Sequence, residues 1–221
     1  MATSGALWVA AGGRLLEAAK QDRNPQIFLF ILIGVETGMR LSEILSIRRA
    51  HIDLNRRVIF IPKAKAGARE QPITAHIAQY LENHLSMASE DTAWLFPSSG
   101  ARDGHTADIR NSFRRVVETA GMNPNEIVRH TLRHTAITHL VQAGIDLPTV
   151  KRISGHKTLL MVERYAHQNG SHINAAMDKL EQRYGQEEHI FNETPLTSRW
   201  LEDIGAGQTP RTITPELHNE R

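Results

Sequence analysis

The 221-residue chain contains no cysteine. This excludes disulfide staples, thiolate metal sites and a cysteine nucleophile together, and leaves the cytoplasm as the default compartment. Long apolar runs are also missing. The longest, Ile27 to Val35, falls well short of the ~20 residues needed to span a bilayer. Met1 is not followed by the charged start, apolar stretch and small-residue cleavage pattern of an export signal, so no membrane or export role is expected. Aromatic residues are few at 5%, against 40% hydrophobic residues overall, which suits a helix-rich globular protein better than a fibre or a disordered chain. Net charge is low too, at +2, but it is unevenly spread. Residues 187–221 carry seven acids and three arginines, leaving residues 1–186 with 23 basic and 17 acidic side chains, or +6. The pattern is a basic body with an acidic tail.

A chain of this length can bury roughly 70% of the surface its unfolded form exposes, enough for one sizeable core. Apolar periodicity predicts helices at 6–19 and 25–37, the second apolar almost all round, as in a helix inside a domain. Gly38 ends it, and a short helix with Leu41, Ile44, Leu45 and Ile47 follows. Val58-Ile59-Phe60-Ile61 and Glu70–Ile73 read as strands joined by a turn at Lys63-Ala64-Lys65-Ala66-Gly67. Further helices are expected at 75–87, 106–121 and 131–143. Another is capped by Asp146, has Pro148 in its first turn and stops near Gly155. One more starts at Thr158, and the last runs from Ser171 to Gly185. Trp94-Leu95-Phe96-Pro97 reads as a buried extended segment. The fold class is therefore mainly α with a small antiparallel β-sheet.

Four short motifs carry the chemistry: Thr37-Gly38-Met39-Arg40-Leu41-Ser42-Glu43, His130-Thr131-Leu132-Arg133-His134, Gly155-His156, and Tyr165-Ala166-His167 nine residues beyond His156. Together, over residues from about 26 to 184, they resemble the catalytic domain of the tyrosine recombinases, the phage integrase family. A basic turn between strands belongs to the same pattern, and Lys65 fits it better than Lys63.

The resemblance implies a site-specific recombinase or integrase that cleaves and rejoins DNA through a 3'-phosphotyrosine, with no metal, nucleotide or other cofactor. Residue chemistry supports this independently. A phosphodiester transition state gathers negative charge, and fixed guanidinium forks suit phosphate oxygens; Arg40 and Arg133 are the candidates. Tyr165 is the expected nucleophile. A phenol ordinarily keeps its proton until pH ~10 and needs help to lose it, with His130 as candidate base. By analogy Lys65 protonates the leaving 5' oxygen, His156 bonds a non-bridging oxygen, and Glu43 orients Arg40. The implied partners are double-stranded DNA, further copies of the chain in a tetramer and accessory DNA-bending proteins, in a bacterial or phage-derived, nucleoid-associated setting. Topoisomerase-like relaxation shares the first chemical step. The alternative from another class is a non-catalytic DNA-binding or regulatory domain that kept the fold.

Each residue alone has a plainer reading. Tyr80 and Tyr184 lack the flanking motif and read as packing residues. His130 and His134 stand at i and i+4, a spacing that elsewhere suggests zinc, but cysteine ligands and a general-base glutamate are missing and Arg133 would repel a dication. His134 is expected to be structural and His167 is left unassigned. Arg48, Arg49, Arg56, Arg57, Lys63, Arg69, Arg110, Arg114, Arg115, Lys151 and Arg152 either lie on an ordinary solvated surface or track a duplex backbone as a group.

Three departures from the family pattern stand out. Little more than a helix pair precedes Arg40, so the N-terminal DNA-clamping domain is expected to be absent from this chain, with the catalytic domain spanning 1–186. Ser154 replaces the usual leucine before Gly155-His156. The acidic tail at 187–221 is unusual, and its Leu196, Trp200, Leu201 and Ile204 are expected to serve oligomerisation.

Overall fold

The computed structural model describes residues 4–65, 67–87, 92–165 and 172–185. These fall into two units, 1–170 and 171–221. The second contributes one described helix, His172–Gly185, on which Met177 and Leu180 are exposed. Ala166, His167 and the tail cluster at 196–204 lie outside the described residues.

The first unit is organised around α2 (Ile27–Thr37), whose Ile27, Leu29, Phe30, Ile31, Leu32 and Ile33 are all buried. A helix buried on every side must be covered on every side. The cover comes from α1 (Ser4–Lys20), α3 (Leu41–Leu45), α4 (Ala75–Met87) and α6 (Arg129–Gln142). Each fully buried side chain of this size contributes ~1.5–3 kcal/mol relative to exposure. α2 and α6 approach closely at Gly34, where an added Cβ would lie 2.9 Å from Leu132 Cδ1. α5 (Arg110–Thr119) packs against α1.

One sheet, in the order β1 (Ile52–Asp53), β2 (Val58–Ile61), β3 (Arg69–Pro72), is antiparallel throughout. Along β2, Ile59 and Ile61 face the core while Phe60 is exposed, the period-2 alternation of a one-sided sheet. β2 and β3 pair from Val58↔Pro72 to Ile61↔Arg69. The connection between them carries Lys63 and Lys65, and its Gly67 N–H donates to Ala64 O.

A short 3-10 turn spans Arg49–His51, and the remaining α-helices of this unit are α7 (Leu147–Ser154) and α8 (Leu160–Glu163). The Asp146 carboxylate accepts from Thr149 N–H at 2.9 Å and caps α7, as expected. Ile137, Val141, Val150, Val162 and the ring of Tyr165 form a second, smaller apolar cluster.

The mainly helical fold with a small antiparallel sheet agrees with the sequence reading; two local expectations need correction. α5 begins at Arg110, not at 106, because Thr106 is tied elsewhere: its N–H donates to Phe96 O at 2.8 Å and its hydroxyl to Gln26 Oε1 at 2.7 Å. β1, only two residues long, was not anticipated. Leu95 and Phe96 are buried as expected, in a segment held by isolated bridges from Trp94 to Arg48 and from Pro97 to His105.

Candidate active site

Gly38 turns the chain out of α2 in a left-handed conformation (φ 64°) that glycine adopts without strain. The next turn delivers Arg40 to the start of α3. There the Glu43 side chain reaches back: Oε2 accepts from the Arg40 backbone N–H at 3.2 Å and Oε1 from Arg40 Nη1 at 3.0 Å. Arg40 Nη2 donates to Gly155 O at 3.0 Å.

Glu43 has a second arginine. Arg69 Nη2 donates to its Oε2 at 3.0 Å, and Arg69 Nη1 to Gln71 Oε1 at 2.6 Å. Arg69 therefore ties the far strand of the lysine hairpin to the carboxylate that holds Arg40. It also explains Gly155, which has φ 65° and whose added Cβ would lie 2.6 Å from Arg69 Nε and 2.9 Å from Cζ. Only a residue without a side chain fits beneath that guanidinium.

Arg133, on α6, is 4% exposed. Its Nη1 donates to Gly38 O at 2.6 Å and to Ser154 O at 2.7 Å, and its Nη2 lies 3.1 Å from His156 Nε2. Burial, then the nearby charge of Arg40, brings its pKa down to about 10, which still leaves it charged at neutral pH.

The contacts of Arg133 fix the state of His156. A guanidinium has no acceptor, so His156 Nε2 must accept. The proton of the neutral ring then sits on Nδ1 and is donated to Ser154 Oγ at 2.7 Å, while the Ser154 hydroxyl donates to Val150 O at 2.7 Å. Burial, followed by the charges of Arg133 and Arg40, holds the His156 pKa down at about 4, so the ring is neutral. Ser154, where the family pattern has leucine, thus supplies the acceptor that selects this tautomer.

The Tyr165 hydroxyl lies 2.7 Å from His134 Nδ1 and accepts from Arg164 Nη2 at 3.1 Å. Its ring is 5% exposed. His134 in turn meets His130 edge-on, with ring centroids 4.6 Å apart. Partial desolvation first, then neighbouring groups, lowers both imidazoles: the charges of Arg133 and Arg164 act on His130, and His130, Arg164 and Arg133 act on His134.

The structure thus joins Arg40 to Glu43 and Arg133 to His156, and brings Tyr165 to His134. Lys65 and Lys63 are exposed on the hairpin, and among the described residues Lys65 has no hydrogen bond or ion pair with these groups.

Sequence reasoning missed three residues. Arg69 was grouped with the surface cations, although strand alternation puts it on the same face as buried Gln71. Ser154 was noted only as a replacement for leucine, without the bond it makes to His156. His134 was read as structural, yet it is the imidazole bonded to Tyr165; its place one turn beyond His130 was the available signal. Most of the supposed backbone-tracking cations have internal partners, among them Arg56 with Glu70, Arg110 with Asp108, Arg114 with Glu118 and Arg115 with Asp22. Arg48 stacks over Trp94 at 4.4 Å.

A helical domain with a small antiparallel sheet, a buried Arg133, a part-buried Arg40–Glu43–Arg69 cluster and a tyrosine bonded to an imidazole is the arrangement of an integrase-type domain. Residues 13–172 match the model of the phage integrase family, and the chain belongs to that family. It is 27% identical over 165 residues to tyrosine recombinase XerA of Thermococcus kodakarensis, covering 72% of this chain and 55% of that protein. It is 31% identical over 136 residues to XerC of Chlamydia caviae, covering 59% and 43%. The chain spans about half the length of the curated relatives it matches. Among solved structures, the catalytic domain of bacteriophage HP1 integrase aligns with a TM-score of 0.58 at 26% identity, over 76% of this chain and 90% of that one. The XerA recombinase crystal structure aligns with a TM-score of 0.60 at 23% identity, over 79% and 63%.

Proposed function

We propose that residues 1–186 form the catalytic domain of a site-specific DNA recombinase or integrase, with Tyr165 as nucleophile. The observation that carries this reading is the Tyr165 hydroxyl, 2.7 Å from one imidazole and 3.1 Å from one guanidinium, on a chain that also clusters Arg40, Arg133 and His156. Tyr165 Oη attacks phosphorus and the bond to the 5' oxygen breaks, leaving a 3'-phosphotyrosine and a 5'-hydroxyl. Arg40 and Arg133 stabilise the charge that gathers on the non-bridging oxygens. His130, exposed and uncharged, lines the same phosphate. His156, its two nitrogens bonded to Arg133 and Ser154, serves it through Arg133, by holding Nη2 in place. Lys65 protonates the leaving oxygen. The phosphotyrosine keeps the bond energy, so rejoining by a 5'-hydroxyl needs neither nucleotide nor metal.

The substrate in this reading is double-stranded DNA, bound by several copies of the chain. Related fold members include a Tn1549 integrase solved with transposon right-end DNA, which has a TM-score of 0.63 at 22% identity. The test is incubation with nicked suicide duplexes drawn from the DNA flanking the gene, in EDTA. Wild type is expected to give a denaturant-resistant adduct and Tyr165→Phe none, at equal DNA affinity. Binding without any adduct would favour a regulatory DNA-binding role.

A further inference from the structure

Resting on that assignment of Tyr165, we propose that His134 is a catalytic residue, its Nδ1 taking the phenolic proton as Tyr165 attacks. Geometry separates it from the other imidazoles. His134 Nδ1 is at hydrogen-bond distance, 2.7 Å, from the Tyr165 hydroxyl, and the two rings pack with centroids 5.7 Å apart. His156 has both nitrogens committed, to Arg133 and Ser154. His130 touches His134 ring to ring, while its own nitrogens make no hydrogen bond to Tyr165 among the described residues.

The hydroxyl is also oriented for this transfer. Arg164 Nη2 donates to its oxygen, so the O–H is left to point at His134, and the same guanidinium stabilises the phenolate that forms. The charged and titratable groups facing His134 are His130 and Arg133 on its own helix, His156 in the turn after α7, and Arg164 and Tyr165 at the end of α8. Partial burial first, then His130, Arg164 and Arg133, lowers its pKa and favours the uncharged imidazole, the form a base requires.

The step balances. The Tyr165 O–H bond breaks as the His134 Nδ1–H bond forms, the Tyr165 oxygen bonds phosphorus, and the 5' oxygen leaves with a proton from Lys65. In the rejoining step the 5'-hydroxyl returns its proton to Lys65 and Tyr165 recovers its own from His134.

The test is the single-turnover rate of adduct formation on a nicked duplex, with tyrosine or 2,3-difluorotyrosine at position 165. The fluorinated phenol ionises more readily and depends less on a base. With tyrosine, His134→Ala is expected to slow attachment about 100-fold, within the range for loss of a general base. It should also convert a rate that is flat across neutral pH into one that climbs with pH. Difluorotyrosine should recover at least tenfold in His134→Ala and not in His130→Ala. His134→Asn, which keeps a polar partner for the hydroxyl but accepts no proton, should be as slow as the alanine variant. Full activity in His134→Asn, a faster reaction in His134→Ala, or rescue confined to His130→Ala would each overturn the proposal. No adduct from wild type on any duplex would instead defeat the assignment of Tyr165 itself.

Discussion

The two sides of the candidate site are built differently. On one side Arg133, His156, Ser154 and Glu43 are buried, and their polar atoms are matched to carbonyls, to the Arg40 and Arg69 guanidiniums or to one another. On the other side Lys65 and His130 are exposed. The contrast shows where folding free energy and chemistry are coupled. A buried guanidinium is tolerated only because Gly38 O, Ser154 O and His156 Nε2 receive its protons, so the residues proposed to cradle the phosphate also hold α2, α6 and α7 together. Lys65 can serve chemistry without contributing to the fold.

That contrast yields a graded set of expectations. The largest effect is for Arg133→Ala, which leaves two buried carbonyls and an imidazole nitrogen without donors. A loss of ~3 kcal/mol or more is expected from the desolvation cost of orphaned groups, read as a lower midpoint in urea unfolding. Gly155→Ala comes next. Its positive φ and the 2.6 Å approach to Arg69 Nε predict a loss of about 2 kcal/mol, with weaker adduct formation because the Arg69 and Arg40 contacts shift together.

Acid should act on the buried side in the same direction. An unfolded histidine takes up its proton near pH 6.5, while folded His156 resists protonation down to about 4. The unfolded state therefore binds more protons in that window. Stability fully present above about 6.5 should fall as pH drops toward 4, as measured by unfolding at fixed ionic strength.

Ser154→Ala removes the acceptor for His156 Nδ1–H and the donor to Val150 O, for an expected ~1 kcal/mol. Its signature is a changed pair of His156 ring 15N shifts. At the smallest end, Lys65→Ala should leave the unfolding midpoint unchanged while lowering cleavage sharply. A duplex with sulfur at the 5' bridging position, whose thiolate leaves without a proton, should restore the rate.

Much of this was legible in the sequence because several codes agree locally. The apolar run in α2, the Gly38 and Gly155 stops and the Asp146 cap each mark an element by backbone chemistry. The four motifs singled out Arg40, Arg133, His156 and Tyr165 as candidates; in the fold Arg40 and Arg133 both bond the turn at Ser154 and Gly155, Arg133 meets His156, and Tyr165 meets His134. What stayed hidden were pairings between elements distant along the chain. Arg69 reaches Glu43 across 26 residues, and Tyr165 reaches His134 across 31. Neither has a spacing rule. The departure at Ser154 could be seen, but its meaning depends on the tautomer that Arg133 imposes, which only the folded geometry reveals.

The central claim is that Tyr165 forms the covalent bond to DNA, and mapping the attachment tests it most directly. The wild-type protein is trapped on a suicide duplex in EDTA, digested, and the peptide retaining a nucleotide is sequenced by mass spectrometry. The account predicts the modified residue to be Tyr165. Attachment at Tyr80, Tyr184 or any serine, or an adduct that persists in Tyr165→Phe, would contradict it.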